Sequence, residues 1–240
     1  MSAEFTISKD NLDTYIKELS REFRKLNGTK TPAEIILIGG AAVIVNYGFR
    51  DMTNDIDALI FASSVMKEAV NRISDRQGLP NGWLNADFKK TKSFSEKLIG
   101  VSKYYKTFSN IVVIRTVAAE YLIAMKLMSG REYKYDLSDI AGILLEHEKN
   151  GDLITREKID KAIIELYGGW DDVPDNSKEL INALLTGGDY AKAYKELRER
   201  EIEGRGAIIE FDKENPGKLK GDMIGEIIKR AREKEKVGDR

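Results

Sequence analysis

Cysteine is absent from this chain, histidine occurs once, at His147, and proline only four times in 240 residues. Without cysteine there is no disulfide, no thiolate metal site and no thiol nucleophile, and a single imidazole excludes most zinc chemistry. A Ser/His/Asp hydrolase would need His147 itself in a pocket, whereas its place near the end of a helical stretch reads as a surface or helix-end histidine. Long apolar runs are also missing: none approaches the roughly 20 residues that cross a bilayer. The segment Met1 to Asn11 lacks the basic-then-apolar order of a secretion signal, so a cytoplasmic protein is expected, with no membrane partner. Carboxylates, lysines, hydroxyls and hard oxygen-bound cations are what remain, and these suit phosphoryl transfer.

What is present is enough apolar sequence, 42%, to build a substantial core, and a net charge of -1 that conceals a segregation. From Ala86 to Lys134 ten Lys or Arg face four Asp or Glu, while Tyr135 to Tyr190 holds five basic residues against thirteen acidic ones. Phe88, Phe94, Tyr104, Tyr105, Phe108, Tyr121 and Tyr133 are interleaved with the cations of the basic stretch. A surface that tracks phosphates and stacks bases has that composition, and so does a solvated strand pair with its aromatics in the core.

The periodicity predicts an α+β chain. Leu12, Tyr15, Ile16, Leu19, Phe23 and Leu26 form a helical stripe closed by Asn27-Gly28. The continuous run Glu34 to Ile38 reads as a strand, Gly39-Gly40 as a strand-to-helix turn, and Ala41 to Tyr47 as a helix. A second strand follows at Asp55 to Phe61, then a helix from about Ser63 to Arg76, a loop at Gly78 to Gly82, and a hairpin pairing Tyr104–Phe108 with Ile111–Thr116 through Ser109-Asn110. Helices are expected at Ala118–Met128, Leu137–Lys149, Arg156–Tyr167, Lys178–Leu185 and Tyr190–Glu203. Gly204-Arg-Gly206 should interrupt the last of these, ahead of the apolar run Ala207–Phe211, a Gly/Pro/Lys stretch and a charged helix, Met223–Lys236. The expected division is residues 1–116 as a core, 117–168 as a helical part completing the site, and 169–240 as a helical extension whose tail is mobile until a partner binds.

Side chains at i and i+2 of a strand share a face, so Asp55 and Asp57 project together. Two ionised carboxylates in one place are costly unless a cation lies beside them. A magnesium ion at each end of a displacement would neutralise both the pair and a nucleotide's phosphates. Alone, an Asp-x-Asp pair is a weak signal, because many solvated strand ends carry one. Gly39-Gly40 adds to it: glycine lets backbone N–H groups at a helix start approach a phosphate closely. Lys126 stands on an otherwise apolar helix, where an ammonium needs either solvent or an anion.

Leu37-Ile-Gly-Gly-Ala41 followed by Arg50-Asp-Met-Thr53-Asn-Asp55-Ile-Asp57-Ala-Leu-Ile60 resembles the signature of the DNA polymerase β-like nucleotidyltransferase superfamily. Leu122-Ile-Ala-Met-Lys126-Leu-Met-Ser-Gly-Arg131 with Lys134-Tyr-Asp136-Leu-Ser-Asp139 resembles its AbiEii and MenT-like group, found in toxin-antitoxin and phage-defence loci. The resemblance covers roughly residues 30 to 145. It implies a small mixed sheet with flanking helices, Gly39 and Gly40 holding the triphosphate, Asp55 and Asp57 binding two Mg2+ ions (or Mn2+), and Lys126 contacting phosphate. Arg131 and Lys134 would extend that surface, and Asp136, with Asp87 as the competing choice, would be the third catalytic carboxylate. Ala41 stands where many relatives supply a serine, so backbone contacts to phosphate must suffice. The implied activity is transfer of NMP from an NTP to a tRNA-like nucleic-acid or a nucleotide acceptor, by a toxin or defence enzyme with a cognate antitoxin or defence partner. Competing readings are nucleotidylation of a protein or of the chain itself, at Tyr190 or Tyr194, and a catalytically silent RNA-binding or antitoxin-like module.

Overall fold

The computed structural model describes residues 5–238; the first four residues of the N-terminal reading and the last two of the C-terminal extension lie outside them. The chain begins with strand β1 (Ile7–Ser8), helix α1 (Lys9–Asn27), strand β2 (Ala33–Leu37), helix α2 (Gly39–Asn46) and strand β3 (Met52–Thr53). It continues through β4 (Ile56–Phe61), α3 (Val65–Gln77), β5 (Leu84–Asn85), two 3-10 turns, β6 (Ser102–Phe108) and β7 (Val112–Val117). Helices α4 (Ala119–Ser129), α5 (Asp136–Lys149), α6 (Arg156–Tyr167), α7 (Asp175–Leu185), α8 (Tyr190–Glu214) and α9 (Ile224–Gly238) complete it. The expected α+β class is what the structure shows, with a five-stranded mixed sheet ordered β5-β4-β2-β7-β6 and a separate β1-β3 pair. The short strands β1, β3 and β5 were not expected, since two residues give no periodicity to read.

Strand alternation divides the core. Ile35, Leu37, Ile56 and Ala58 point toward α1 and α3, while Ile36, Ile38 and Leu59 point toward the layer built from α4, α5, α6 and α7. Asp57, two residues before Leu59, therefore faces the helical layer contributed by the later part of the chain. β2 runs antiparallel to β4, with Leu37 opposite Ala58, and parallel to β7. This places Gly39, just past the end of β2, against the start of β4.

The chain between α2 and β4 is long but anchored. Phe49 packs so closely on α5 that a Cβ on Gly142 would lie 2.5 Å from its ring, and the Tyr194 hydroxyl donates to the Phe49 carbonyl at 3.0 Å. The expected break at Gly204-Arg-Gly206 is overturned: α8 runs through both glycines for 25 residues and absorbs the apolar run Ala207–Phe211. Packing outweighs helix propensity here, because a Cβ on Gly204 would stand 3.1 Å from the Glu132 carbonyl oxygen, so glycine lets α8 press against the α4–α5 connection. Helix α9 folds back beside it, with Ile228 buried and Arg232 2.7 Å from Glu132.

Candidate active site

A cleft of about 540 Å³ opens where the C-terminal end of β2, the start of β4, the α4–α5 connection and one face of α8 meet. Gly39, Gly40, Asp55, Asp57, Lys126, Arg131, Lys134 and Asp136 all line it, so the glycine turn, the carboxylate pair and the 126–136 charges fall in one place. Asp87 does not: it is exposed and pairs with Lys90 at 2.7 Å. His147 is also elsewhere, between the Tyr47 hydroxyl at 3.2 Å and the Asp152 carbonyl at 3.0 Å.

The two glycines have different reasons to be glycine. Gly39 adopts φ +56°, a left-handed conformation, at the first position of α2, and a Cβ there would approach Asp57 Oδ2 to 3.5 Å. Gly40 has no such strain, but a Cβ on it would fall 2.7 Å from both Arg50 Nη2 and Thr53 Oγ1. The glycines therefore bring the start of α2 against the carboxylates, and no side chain caps the helix N-terminus. Uncapped N–H groups and the positive end of the helix dipole suit an anion there.

Asp55 sits exposed immediately before β4, and Asp57 is half-buried within it. Burial first and the Asp55 charge second raise the Asp57 carboxyl to about 6, against the opposing pull of Arg131 and Lys134. The carboxyl is half-buried beside a like charge, and the nearby cations do not offset both effects. Among the described residues no three acidic or imidazole side chains converge as a metal cage. Two carboxylates with open cleft beside them nevertheless fit magnesium, which takes one or two protein carboxylates and fills its remaining positions with water and substrate phosphate.

Asp136 and Lys126 are bound to each other. Lys126, 4% exposed, places Nζ 3.2 Å from Asp136 Oδ1 and 2.7 Å from Asp139 Oδ2. Arg131 Nε lies 2.8 Å from Asp136 Oδ2, and Arg50 closes the cluster with an ion pair to Asp139. Burial opposes ionisation of Asp136, yet Lys126 and Arg131 outweigh it and hold the carboxyl below its usual range.

Residues to which the motifs assign no role also build the cleft. Arg50 and Arg198 both stand over the Tyr135 ring, at 5.5 and 3.6 Å. Tyr135 itself takes φ +62° at the start of α5. Arg198, Ile202, Arg205 and Ile209 supply the α8 wall. Their 4-3-4 spacing was a readable helical face, but nothing local says which surface that face meets. On the neighbouring face, buried Glu201 accepts hydrogen bonds from the Leu137 and Ser138 N–H groups at 2.9 and 3.4 Å, capping α5 from another helix.

Residues 14–165 match the family described as "Nucleotidyltransferase of unknown function (DUF6036)". The chain belongs to this family. The matched span contains the glycine turn, the carboxylate pair and the Lys126 cluster, and stops before α8. No curated protein and no solved structure matches the chain.

The aromatics of the basic stretch divide. Phe108 and Tyr121 are buried, Phe88 and Phe94 pack edge to face against the core, and Tyr104 is exposed. Lys89, Lys90 and Lys92 are exposed in the segment after β5. No helix among the described residues is long and apolar enough to cross a membrane.

Proposed function

We propose that this nucleotidyltransferase is magnesium-dependent and transfers NMP from an NTP to a nucleic-acid or nucleotide acceptor, in the cytoplasm, as a toxin or phage-defence enzyme. The observation that carries the reading is the convergence of the α2 N-terminus with Asp55 and Asp57 in one cleft, where burial and Asp55 together raise the Asp57 carboxyl. Asp55 and Asp57 would hold the magnesium ions, which when bound neutralise phosphate charge and lower the pKa of the attacking hydroxyl. The backbone at Gly39 and Gly40 receives the triphosphate, and the exposed cations Arg131 and Lys134 attract it. Asp136 acts through Lys126 and Arg131: it fixes the orientation of both cations at the cleft floor. In the reaction an acceptor oxygen forms a bond to the α-phosphorus, the α–β anhydride bond breaks, pyrophosphate leaves and the acceptor's hydroxyl proton is released. The toxin or defence role, and with it a cognate partner protein, rests on the AbiEii and MenT-like resemblance of the 122–139 segment.

Self-nucleotidylation at Tyr194 is disfavoured by its geometry, since that hydroxyl is engaged with Phe49 and burial raises its pKa. The test is incubation of the protein with each α-labelled NTP, magnesium and total RNA. Label in RNA or in a small nucleotide product supports the reading. Label only in protein selects the self- or protein-nucleotidylation alternative, and no label from any NTP overturns transfer.

A further inference from the structure

The part of the cleft that the family match does not reach is its α8 wall. Arg198, Ile202, Arg205 and Ile209 follow one another at 4-3-4 spacing, so they form one longitudinal face, and all four line the cleft. The eleven helical steps from Arg198 to Ile209 make that face about 16 Å long at a rise of about 1.5 Å per residue. Its chemistry alternates. Ile202 and Ile209 are 52% and 45% exposed, although the adjoining side of the same helix buries Glu201 and Gly204 and holds it in place. Single exposed isoleucines are ordinary, but two on one face that borders a cleft containing a carboxylate pair are a surface prepared for an apolar, flat ligand.

Arg198 gives the wall its polar end. Its guanidinium lies over Tyr135, 3.6 Å from the ring centroid, next to the start of α5. Its Nη1 is buried without a hydrogen-bond partner among the described residues. A buried donor of that kind is costly, and an anionic oxygen entering the cleft would satisfy it.

We infer that the cleft face of α8 is the nucleoside subsite of this enzyme: Ile202 and Ile209 receive the base and Arg198 turns toward the phosphates that Gly39 and Gly40 cradle. The inference rests on the nucleotidyltransferase reading and adds to it where nucleotide recognition resides. It explains why Glu201 and Gly204 dock α8 against the α4–α5 connection, since the wall must stand at a fixed distance from Asp55 and Asp57. Selectivity among bases then comes from a segment outside residues 14–165.

Calorimetric titration of the full chain with magnesium tripolyphosphate and with each of the four magnesium NTPs tests this. The preferred NTP is expected to bind wild type at least about tenfold more tightly than tripolyphosphate, the return on partial burial of apolar surface. Ile202→Ser with Ile209→Ser should erase that advantage while leaving the tripolyphosphate affinity within about twofold. Arg198→Gln should weaken both ligands. Because both isoleucines are exposed, melting temperatures should match wild type, and Ile202→Thr with Ile209→Thr repeats the test if they do not. Variants that keep the NTP advantage overturn the subsite and leave the nucleotidyltransferase reading intact. A wild type that binds neither ligand overturns both.

Discussion

Lys126 Nζ lies 2.7 Å from Asp139 Oδ2, and the two side chains are buried together beneath the cleft with Asp136 and Arg50 around them. An ammonium on an apolar helix had two destinations, solvent or an anion. The anion it finds is a pair of carboxylates of its own chain. Lys126 is thus first a structural cation, and its effect on substrate passes through the position of this cluster.

Lys126→Ala should therefore destabilise the protein by about 1–3 kcal/mol, because two buried carboxylates lose a shared partner while Arg131 and Arg50 still neutralise them. Denaturant unfolding measures this directly. A variant of wild-type stability with only a raised KM for NTP would show that Lys126 serves the substrate and that the ion pairs are incidental.

Asp55→Asn and Asp57→Asn should each abolish labelling from NTP while leaving the fold intact, since side-chain volume hardly changes. Removing one charge from the pair also relieves repulsion, so magnesium should raise the melting temperature of wild type more than that of the double variant. Equal shifts would place the metal elsewhere.

Glu201 makes the stability of the α5–α8 contact depend on pH. Burial raises its carboxyl from 4.5 to about 7, against the opposing pull of the Ser138 and Leu137 groups. The folded state consequently holds a proton that the unfolded state has released, so stability falls as pH rises from 4.5 through about 7, by about 3 kcal/mol in total. Glu201→Gln keeps the oxygen that accepts from the two backbone N–H groups and removes the titration. Unfolding free energies at pH 5 and pH 8 should differ less in the variant than in wild type by about that amount; parallel pH profiles would rule Glu201 out as the source.

Gly204 and Gly206 should respond oppositely to a side chain. Gly204→Val drives methyl groups against the Glu132 carbonyl and should cost about 1–3 kcal/mol, whereas a Cβ on Gly206 meets nothing within 4 Å among the described residues. Gly206→Ala should stabilise α8 by about 0.5–1 kcal/mol, as expected in an exposed helix interior. Equal and destabilising effects would mean that the helix does break there in solution.

Reversing Lys89, Lys90 and Lys92 tests the acceptor. All three are exposed, and each phosphate they no longer neutralise should flatten the salt dependence of polynucleotide binding by about one unit of slope. An unchanged slope would return them to a solvated face.

The local chain determined what lies within a few residues of itself. Asp55 and Asp57 share a face because a strand alternates, and Gly39 ends a strand because a left-handed turn needs glycine; both facts hold whatever surrounds them. The helical stripe of α1 and the β6–β7 hairpin were legible for the same reason. Only the tertiary structure decided the partners of buried charge and the wall of the cleft. Lys126 meets Asp139 through packing of α4 on α5, and Arg50 reaches the same carboxylate from 89 positions away. The glycines at 204 and 206 carry identical local propensity, yet one lies against a backbone carbonyl and the other faces open space. Which face of α8 meets the carboxylates follows from where Glu201 caps α5, a contact between residues 64 apart that no short-range pattern encodes.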